Sequence, residues 1–411
     1  MGATRTRTIG AAERRVRLGV RHRLAGSARA GSAEEVARSL VALHGTDPAS
    51  VFLAVGARLA GKAGPVAEVE RALYEDRSLV RMHGMRHTVF VLPAALAPAV
   101  QASTTDPAAV RERASLLQHL AAGSDFDAAW LAETERLVLA ELGVRGEATG
   151  AELGRAVPAL RSTYLYGKGT RQEGVQSVGS RVLRVLGMEG RIVRGRPQGT
   201  WTSSQFRWAR PAGPGYGPPS ALDPRSGPPS APDPATARAE LIRWWLRACG
   251  PATEADLKWW TGWRVTDVRG ALAAVGALPV TLDEGTGFVL PDDLDPVTER
   301  AAVPEPWAAL LPALDPTAMG WQARDWYLDP GHRAALFDRS GNIGPTVWWD
   351  GRIVGGWAQR PDGEIVHRLL TDAGAAAGRA IGAEAERLAG WVGDVRVTPR
   401  FRTPLERELG A

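Results

Sequence analysis

The chain has 411 residues, 44% apolar and 23% charged, with a net charge of +5, enough for roughly two to four domains with sizeable cores. No apolar run approaches the ~18–20 residues of a membrane-crossing helix, which excludes an α-helical membrane protein, and the charged N-terminus lacks the apolar stretch of a secretory signal. A single cysteine, Cys249, excludes an intramolecular disulfide and a multi-cysteine zinc knuckle, and a cytoplasmic location is expected.

From the N-terminus, Ser32-Ala-Glu-Glu35 reads as a capping box opening a helix with Val36, Leu40 and Leu43 on its apolar face. Gly45 suits a left-handed helix end, so this helix is expected to stop at His44. Asp47-Pro48 then reads as N-cap and first residue of a helix reaching about Leu59. A third helix covers about 66–74, and Leu79–Pro93 follows as two strands around a turn. Three helices and a hairpin make a winged-helix unit.

A second such unit starts near Asp127. Its expected recognition helix, Thr170–Leu186, spaces Val175, Val178, Val182 and Val185 helically, and GRIVRGRPQGTWTSS reads as the wing. Residues 209–236 hold nine prolines and no apolar periodicity, so they read as a linker. Beyond it, Thr253-Glu-Ala-Asp256 caps a helix with Trp259 and Trp260. Val265, Val268, Leu272 and Val275 mark another, and PVTLDEGTGFVLP a hairpin, giving a third unit. The remainder is strand-rich, with a hairpin around Asp350-Gly351, a helix near Asp372–Val392 and a last strand, VRVTPRF.

Charge is uneven along this order. Residues 151–210 hold 11 Lys/Arg against 3 acids, and residues 251–350 hold 7 against 15. Lysine occurs only as Lys62, Lys168 and Lys258; the other 47 basic residues are arginine, the side chain best shaped for forked phosphate contacts. A polyanion is therefore expected to engage the first half.

The motifs LHGTDP (Leu43–Pro48), RMHGMRHTVFVLP (Arg81–Pro93), LLPALDPTAMGWQARDWYL (Leu310–Leu328) and VWWDGRIVGGW (Val347–Trp357) resemble those of a bacterial winged-helix DNA glycosylase family. Its members unhook interstrand crosslinks and remove bulky alkylated purines, and the resemblance covers nearly the whole chain. It implies an α+β fold in which tandem winged helices form a concave DNA surface, followed by a C-terminal β-barrel-like domain. The expected divisions are 1–125, 126–208, the linker 209–236, 237–300 and 301–411. Where family members carry Gln-x-Gln or Gln-x-Asp before Asp-Pro, this chain has His44-Gly45-Thr46. The family's M-R-G-T-x-H segment reads Met85-Arg86-His87-Thr88-Val89-Phe90.

Excision of an N3- or N7-alkylated purine needs only a positioned water and a stabilised sugar cation, because the base already leaves readily. His44, Thr46 and Asp47 are the expected catalytic residues: an imidazole that accepts a proton near neutral pH, a hydroxyl, and a carboxylate. The structural alternative is a helix-terminal His44, a loop Thr46 and an Asp47 that only caps. Arg81, His83, Arg86, His87, Arg171, Arg181, Arg184, Arg191, Arg194 and Arg196 are the expected contacts to double-stranded DNA, and the paired tryptophans are expected in cores. His332 and His367 lack partners at ligand spacing, so no metal or cofactor is expected. No lysine falls in the 43–48 or 81–93 motifs, so no lyase step is expected. The function that follows is a monofunctional glycosylase for bulky or crosslinked alkylpurines, acting as a monomer in repair or genotoxin self-resistance. The alternative is a non-catalytic DNA binder, either a regulator or a damage-binding protein.

Overall fold

The computed structural model describes residues 6–61, 64–211, 232–294 and 304–411, which form a mixed helix-and-sheet fold. The first helix, α1 (Ala11–Arg21), is preceded by Ile9, fully buried with Val280, Leu282 and Val289 from far along the chain. In α2 (Ala33–Ser39) the Ser32 hydroxyl accepts the Glu35 N–H at 3.2 Å, the expected cap. The expected continuation to His44 does not occur. Val41 takes a left-handed φ of 66°, and Leu43–His44 form strand β1, with Leu43 opposite Val91 and His44 opposite Phe90. Gly45 extends this pairing by donating its N–H to Val89 O at 2.8 Å. It is a close-approach glycine, since a Cβ there would sit 3.1 Å from Arg81 Nη1 and 3.3 Å from Val89 O.

Asp47 caps α3 (Pro48–Gly56), as its Asp-Pro start implies, and α4 (Pro65–Glu70) runs into a π turn at Arg71–Glu75. Strands β2 (Leu79–His83) and β3 (Val89–Pro93) form the expected hairpin in the order β1-β3-β2. Then come α5 (Ala97–Val100), α6 (Asp106–Gly123), α7 (Ala128–Arg145), β4 (Glu147–Thr149) and α8 (Gly150–Ala156).

The expected helix over 170–186 is corrected. Residues 163–177 form a hairpin of β5 (Thr163–Tyr166) and β6 (Gly174–Ser177), and α9 (Val178–Met188) starts only there. Gly167 and Gly169, at φ 63° and 77°, turn the chain back. Val178, Val182 and Val185 are fully buried, whereas Val175 is 71% exposed, so its place in the valine spacing is coincidental. The sheet β4-β8-β7 is completed by β7 (Val193–Pro197) and β8 (Phe206–Ala209).

Most of the expected linker, 212–231, lies outside the described residues; its end already belongs to α10 (Pro234–Cys249), capped by Asp233. The capping box of Thr253 and Asp256 opens α11 (Glu254–Thr261), followed by α12 (Val265–Ala274) and the hairpin β9 (Leu278–Leu282) and β10 (Gly285–Val289).

Beyond this lies an open antiparallel sheet rather than the expected barrel. Its order is β11-β12-β13-β14: β11 (Ala308–Leu311), β12 (Thr346–Trp349), β13 (Arg352–Gln359) and β14 (Ile365–Leu369). The two edges do not pair with each other. Asp350 and Gly351, at φ 43° and 78°, make the expected tight turn. Two short helices, α13 (Pro316–Met319) and α14 (Arg333–Leu336), precede β12. The long α15 (Gly374–Val392) lies across the sheet and buries Ala377, Ile381 and Leu388, the cover that closure would otherwise supply. The expected last strand over 395–401 is irregular chain, its Val397 N–H donating to the Gln359 side chain at 2.8 Å, and α16 (Pro404–Leu409) ends the fold. Among the described residues no helix is long and apolar enough to cross a membrane.

Two of the cores are shared by distant segments. One joins Met82 and Phe90 to Trp245, Trp321 and Trp348; another joins Phe52 and Val91 to Leu310, Val354 and Leu388. A third, from Leu116 to Trp208, is local. A chain cut at a protease site inserted within 212–231 is therefore expected to stay as one particle on gel filtration without denaturant. Separation of the two pieces would mean these shared cores do not hold them together.

Candidate active site

The candidate site is the corner between β1 and α3. Its carboxylate, Asp47, is 6% exposed and bonded on both oxygens: Oδ1 accepts the Ala49 N–H at 3.2 Å and Oδ2 the Arg400 N–H at 3.0 Å. Burial pushes its pKa up while these N–H groups hold it down. Asp47 thus ties the α3 N-terminus to the chain segment before α16. Thr46 is half-buried, and its carbonyl accepts Arg400 Nη1 at 3.4 Å.

His44 is half-buried, edge-on to Phe90 with ring centroids 5.4 Å apart, and its buried Nδ1 has no protein partner. Burial, reinforced by the Arg86 charge, lowers its pKa to about 4. The sequence suggested an imidazole that accepts a proton near neutral pH; in this setting it is a neutral hydrogen-bonding group across the physiological range.

The β2–β3 hairpin delivers the next group. Arg81 is 7% exposed; its Nη1 donates to Gly45 O at 3.0 Å and its guanidinium lies 4.6 Å from the Phe206 ring centroid. His83, equally buried, is pushed to about 3 by burial and by Arg194, Arg184 and His87. Arg86 and His87 sit at the turn with φ of 53° and 58°, both exposed, and Arg86 covers Trp259 at 4.2 Å. Across a cleft lined by Arg81, His83, Ile192 and Trp208, Arg194 packs 5.8 Å from Phe206 and 5.0 Å from Trp208. Burial and the neighbouring charges of Arg81, Arg184 and Arg400 lower its pKa to about 10.

The remaining candidate arginines are placed differently. Arg181 is bound to Glu112 at 2.9 Å and to the Tyr164 hydroxyl at 3.0 Å. Arg191 pairs with Glu135 at 2.6 Å, and Arg196 with Glu70 and Glu75 at 3.1 and 3.2 Å while covering Tyr74. Arg184 is exposed with Glu112 3.8 Å away, and Arg171 is exposed in the β5–β6 turn. Arg400, Phe206 and Trp259 complete the surface: the first two were not singled out by sequence, and Trp259, expected in a core with its pair Trp260, is only half-buried and lies under Arg86 and Arg324. Arg400 had no local signal, because its role depends on a contact with Asp47, 353 residues earlier. Among the described residues no group of three His, Cys, Asp or Glu side chains could hold a metal ion.

Comparison with known proteins agrees with this architecture. The model of the family described as DNA glycosylase AlkZ-like matches residues 37–391, and the chain belongs to that family. The solved structure of Streptomyces sahachiroi DNA glycosylase AlkZ is similar over 94% of this chain and 98% of its own. That match has a TM-score of 0.67 and 23% identity, a likeness of fold. No curated protein sequence matches the chain.

Proposed function

We propose that this member of the AlkZ-like DNA glycosylase family hydrolyses the N-glycosidic bond of bulky or crosslinked N7- or N3-alkylated purines in double-stranded DNA. Its role is then repair of alkylation damage or self-resistance to a genotoxin. The observation that carries the reading is a neutral, half-buried imidazole, His44, two residues from Thr46 on an arginine-lined face. A strong acid is unnecessary, because the alkylated base already carries positive charge. As the C1′–N9 bond breaks, its electron pair stays with N9 and neutralises the base, leaving a cationic sugar. His44 and Thr46 hold the water that attacks C1′; its oxygen forms the new bond and its proton passes to solvent. Water and a neutral imidazole suit a developing cation, which a protonated imidazole would repel.

In this reading the three hairpin-ended units act as tandem winged helices, with the divisions at 125, 208, 236 and 300 given by the sequence. The Arg81–His87 hairpin, Arg184, Arg194 and the exposed Arg171 face the duplex. Arg181, Arg191 and Arg196 support it indirectly, because internal acids already neutralise them. With no lysine at the corner the reaction is hydrolytic and stops at an abasic site, and one chain suffices.

The test is release of a 7-alkylguanine from a duplex under multiple turnover, over a pH series and corrected for spontaneous loss. Excision is expected to be flat from neutral pH downward and to fall as pH drops through about 4, where His44 takes a proton. A break near the ordinary histidine value would mean His44 works as a base instead. No excision of any alkylpurine would leave a DNA-binding protein.

A further inference from the structure

We propose that Arg81, Arg194 and Arg400 together hold one backbone phosphodiester of the bound strand beside the His44–Asp47 corner, and so set the register of the lesion against His44. The reaction it serves rests on the glycosylase reading above; the binding site does not.

The three guanidinium groups come from three separate parts of the chain. Arg81 and Arg194 share the Phe206 ring, at 4.6 and 5.8 Å. Arg400 is brought in by its main-chain N–H on Asp47 Oδ2 and its Nη1 on Thr46 O. Among the described residues none of the three guanidinium groups is paired in a salt bridge; the carboxylate nearest the cluster, Asp47, takes the main-chain N–H of Arg400 and interacts with its side chain only through its charge. Their sequence neighbours Arg191, Arg196 and Arg402 are all paired. Assembling like charges in a partly desolvated cleft is unfavourable, as the lowered pKa of Arg194 records. An anion offsets that repulsion, and planar guanidinium forks bind phosphate oxygens best.

The cluster is also wired to the chemistry. Arg81 Nη1 holds the carbonyl of Gly45, the residue between His44 and Thr46, at 3.0 Å. A phosphate seated on Arg81 is therefore one side chain away from the water-holding groups. Arg400 lies beyond residues 37–391, the part matched by the family, so the site joins family-covered sequence to a segment outside it.

The test uses the full chain and duplexes carrying a tetrahydrofuran abasic analogue, which cannot be excised, with one phosphate at a time replaced by a methylphosphonate. Wild-type protein is expected to lose about tenfold in affinity at one position close to the analogue, the size of a charge-assisted contact. Arg194→Gln and Arg400→Gln should bind more weakly throughout. Neutralising that same phosphate should cost each of them clearly less than it costs wild type, because one of the three contacts is already gone, while other positions cost them as much as wild type. Each variant should lower the salt slope by about one. Arg400→Gln keeps the main-chain bond to Asp47, so its melting temperature should match wild type and separate binding from folding. Variants that respond to every methylphosphonate as wild type does would overturn the clamp. So would a wild type indifferent to position but stabilised by inorganic phosphate, which would mark a free-anion site. Failure to excise alkylpurines would count against the glycosylase reading and leave this measurement unaffected.

Discussion

His44→Ala is expected to lower single-turnover excision of a 7-alkylguanine by about 10²-fold, the lower end of what a positioned catalytic side chain contributes. The ring is neutral and half-buried, its edge held against Phe90, so what is lost is a fixed acceptor for water rather than a proton carrier. His44→Gln should recover much of the rate, because an amide orients water without needing a proton. DNA affinity should barely move, since the duplex is held mainly by phosphate contacts. An unchanged rate for His44→Ala would remove this corner from the chemistry.

Asp47→Asn separates the two roles of the neighbouring carboxylate. Asn can still accept the Ala49 N–H, so the cap persists. Its amide NH2, however, would face the Arg400 N–H, which now donates to Oδ2, and one buried donor would lose its partner. That costs about 1–3 kcal/mol and frees the segment carrying Arg400. Excision should therefore fall through weaker binding, a rise in KM with kcat nearly kept. A fall in kcat as large as that of His44→Ala, with KM unchanged, would instead place Asp47 beside the sugar cation.

What the sequence revealed follows the range of the interactions. The Thr253 capping box, the Asp47-Pro48 helix start and the Asp350-Gly351 turn were legible because each is settled within four residues. The two-residue strand Leu43–His44 was not, because only pairing with β3 makes it a strand. Helical spacing over-reached into Val175, since period three or four also arises by chance where a hairpin meets a helix. The barrel implied by family resemblance gave way to an open sheet because α15 covers a face. In the candidate site, His44, Thr46, Arg81 and Arg194 each carried a motif or charge signal in the sequence. Which arginines are spare for DNA was hidden, because Glu70, Glu112 and Glu135 reach Arg196, Arg181 and Arg191 from distant elements.

Arg58→Ala is expected to cost about 3–5 kcal/mol of folding stability, as is Asp315→Ala, because each leaves the other charge buried alone. Both side chains are 0% exposed, joined by Nη1 to Oδ2 at 2.9 Å and Nη2 to Oδ1 at 2.7 Å. The remaining donors of Arg58 are used as well: Nε on His22 O, Nη1 on Ala54 O and Nη2 on the Thr317 hydroxyl. Asp315 in turn accepts the Thr317 N–H at 2.9 Å and caps α13. This is what the LLPALDP motif does physically: its aspartate grips the chain just past the C-terminal end of α3, the helix whose N-terminus Asp47 caps. Denaturant melts of the two single variants and of Arg58→Met/Asp315→Leu check the argument. The double variant should recover most of the loss, because removing both charges leaves none stranded, and the single costs should not add. Singles costing under about 1 kcal/mol would place the pair among surface-like bridges. If the motif acts only through this anchor, the double variant should also regain excision in proportion to its recovered stability. A stable double variant that no longer excises would mean that the ion pair sets the angle of α3, and with it the position of His44 and Thr46, beyond merely holding the helix in place.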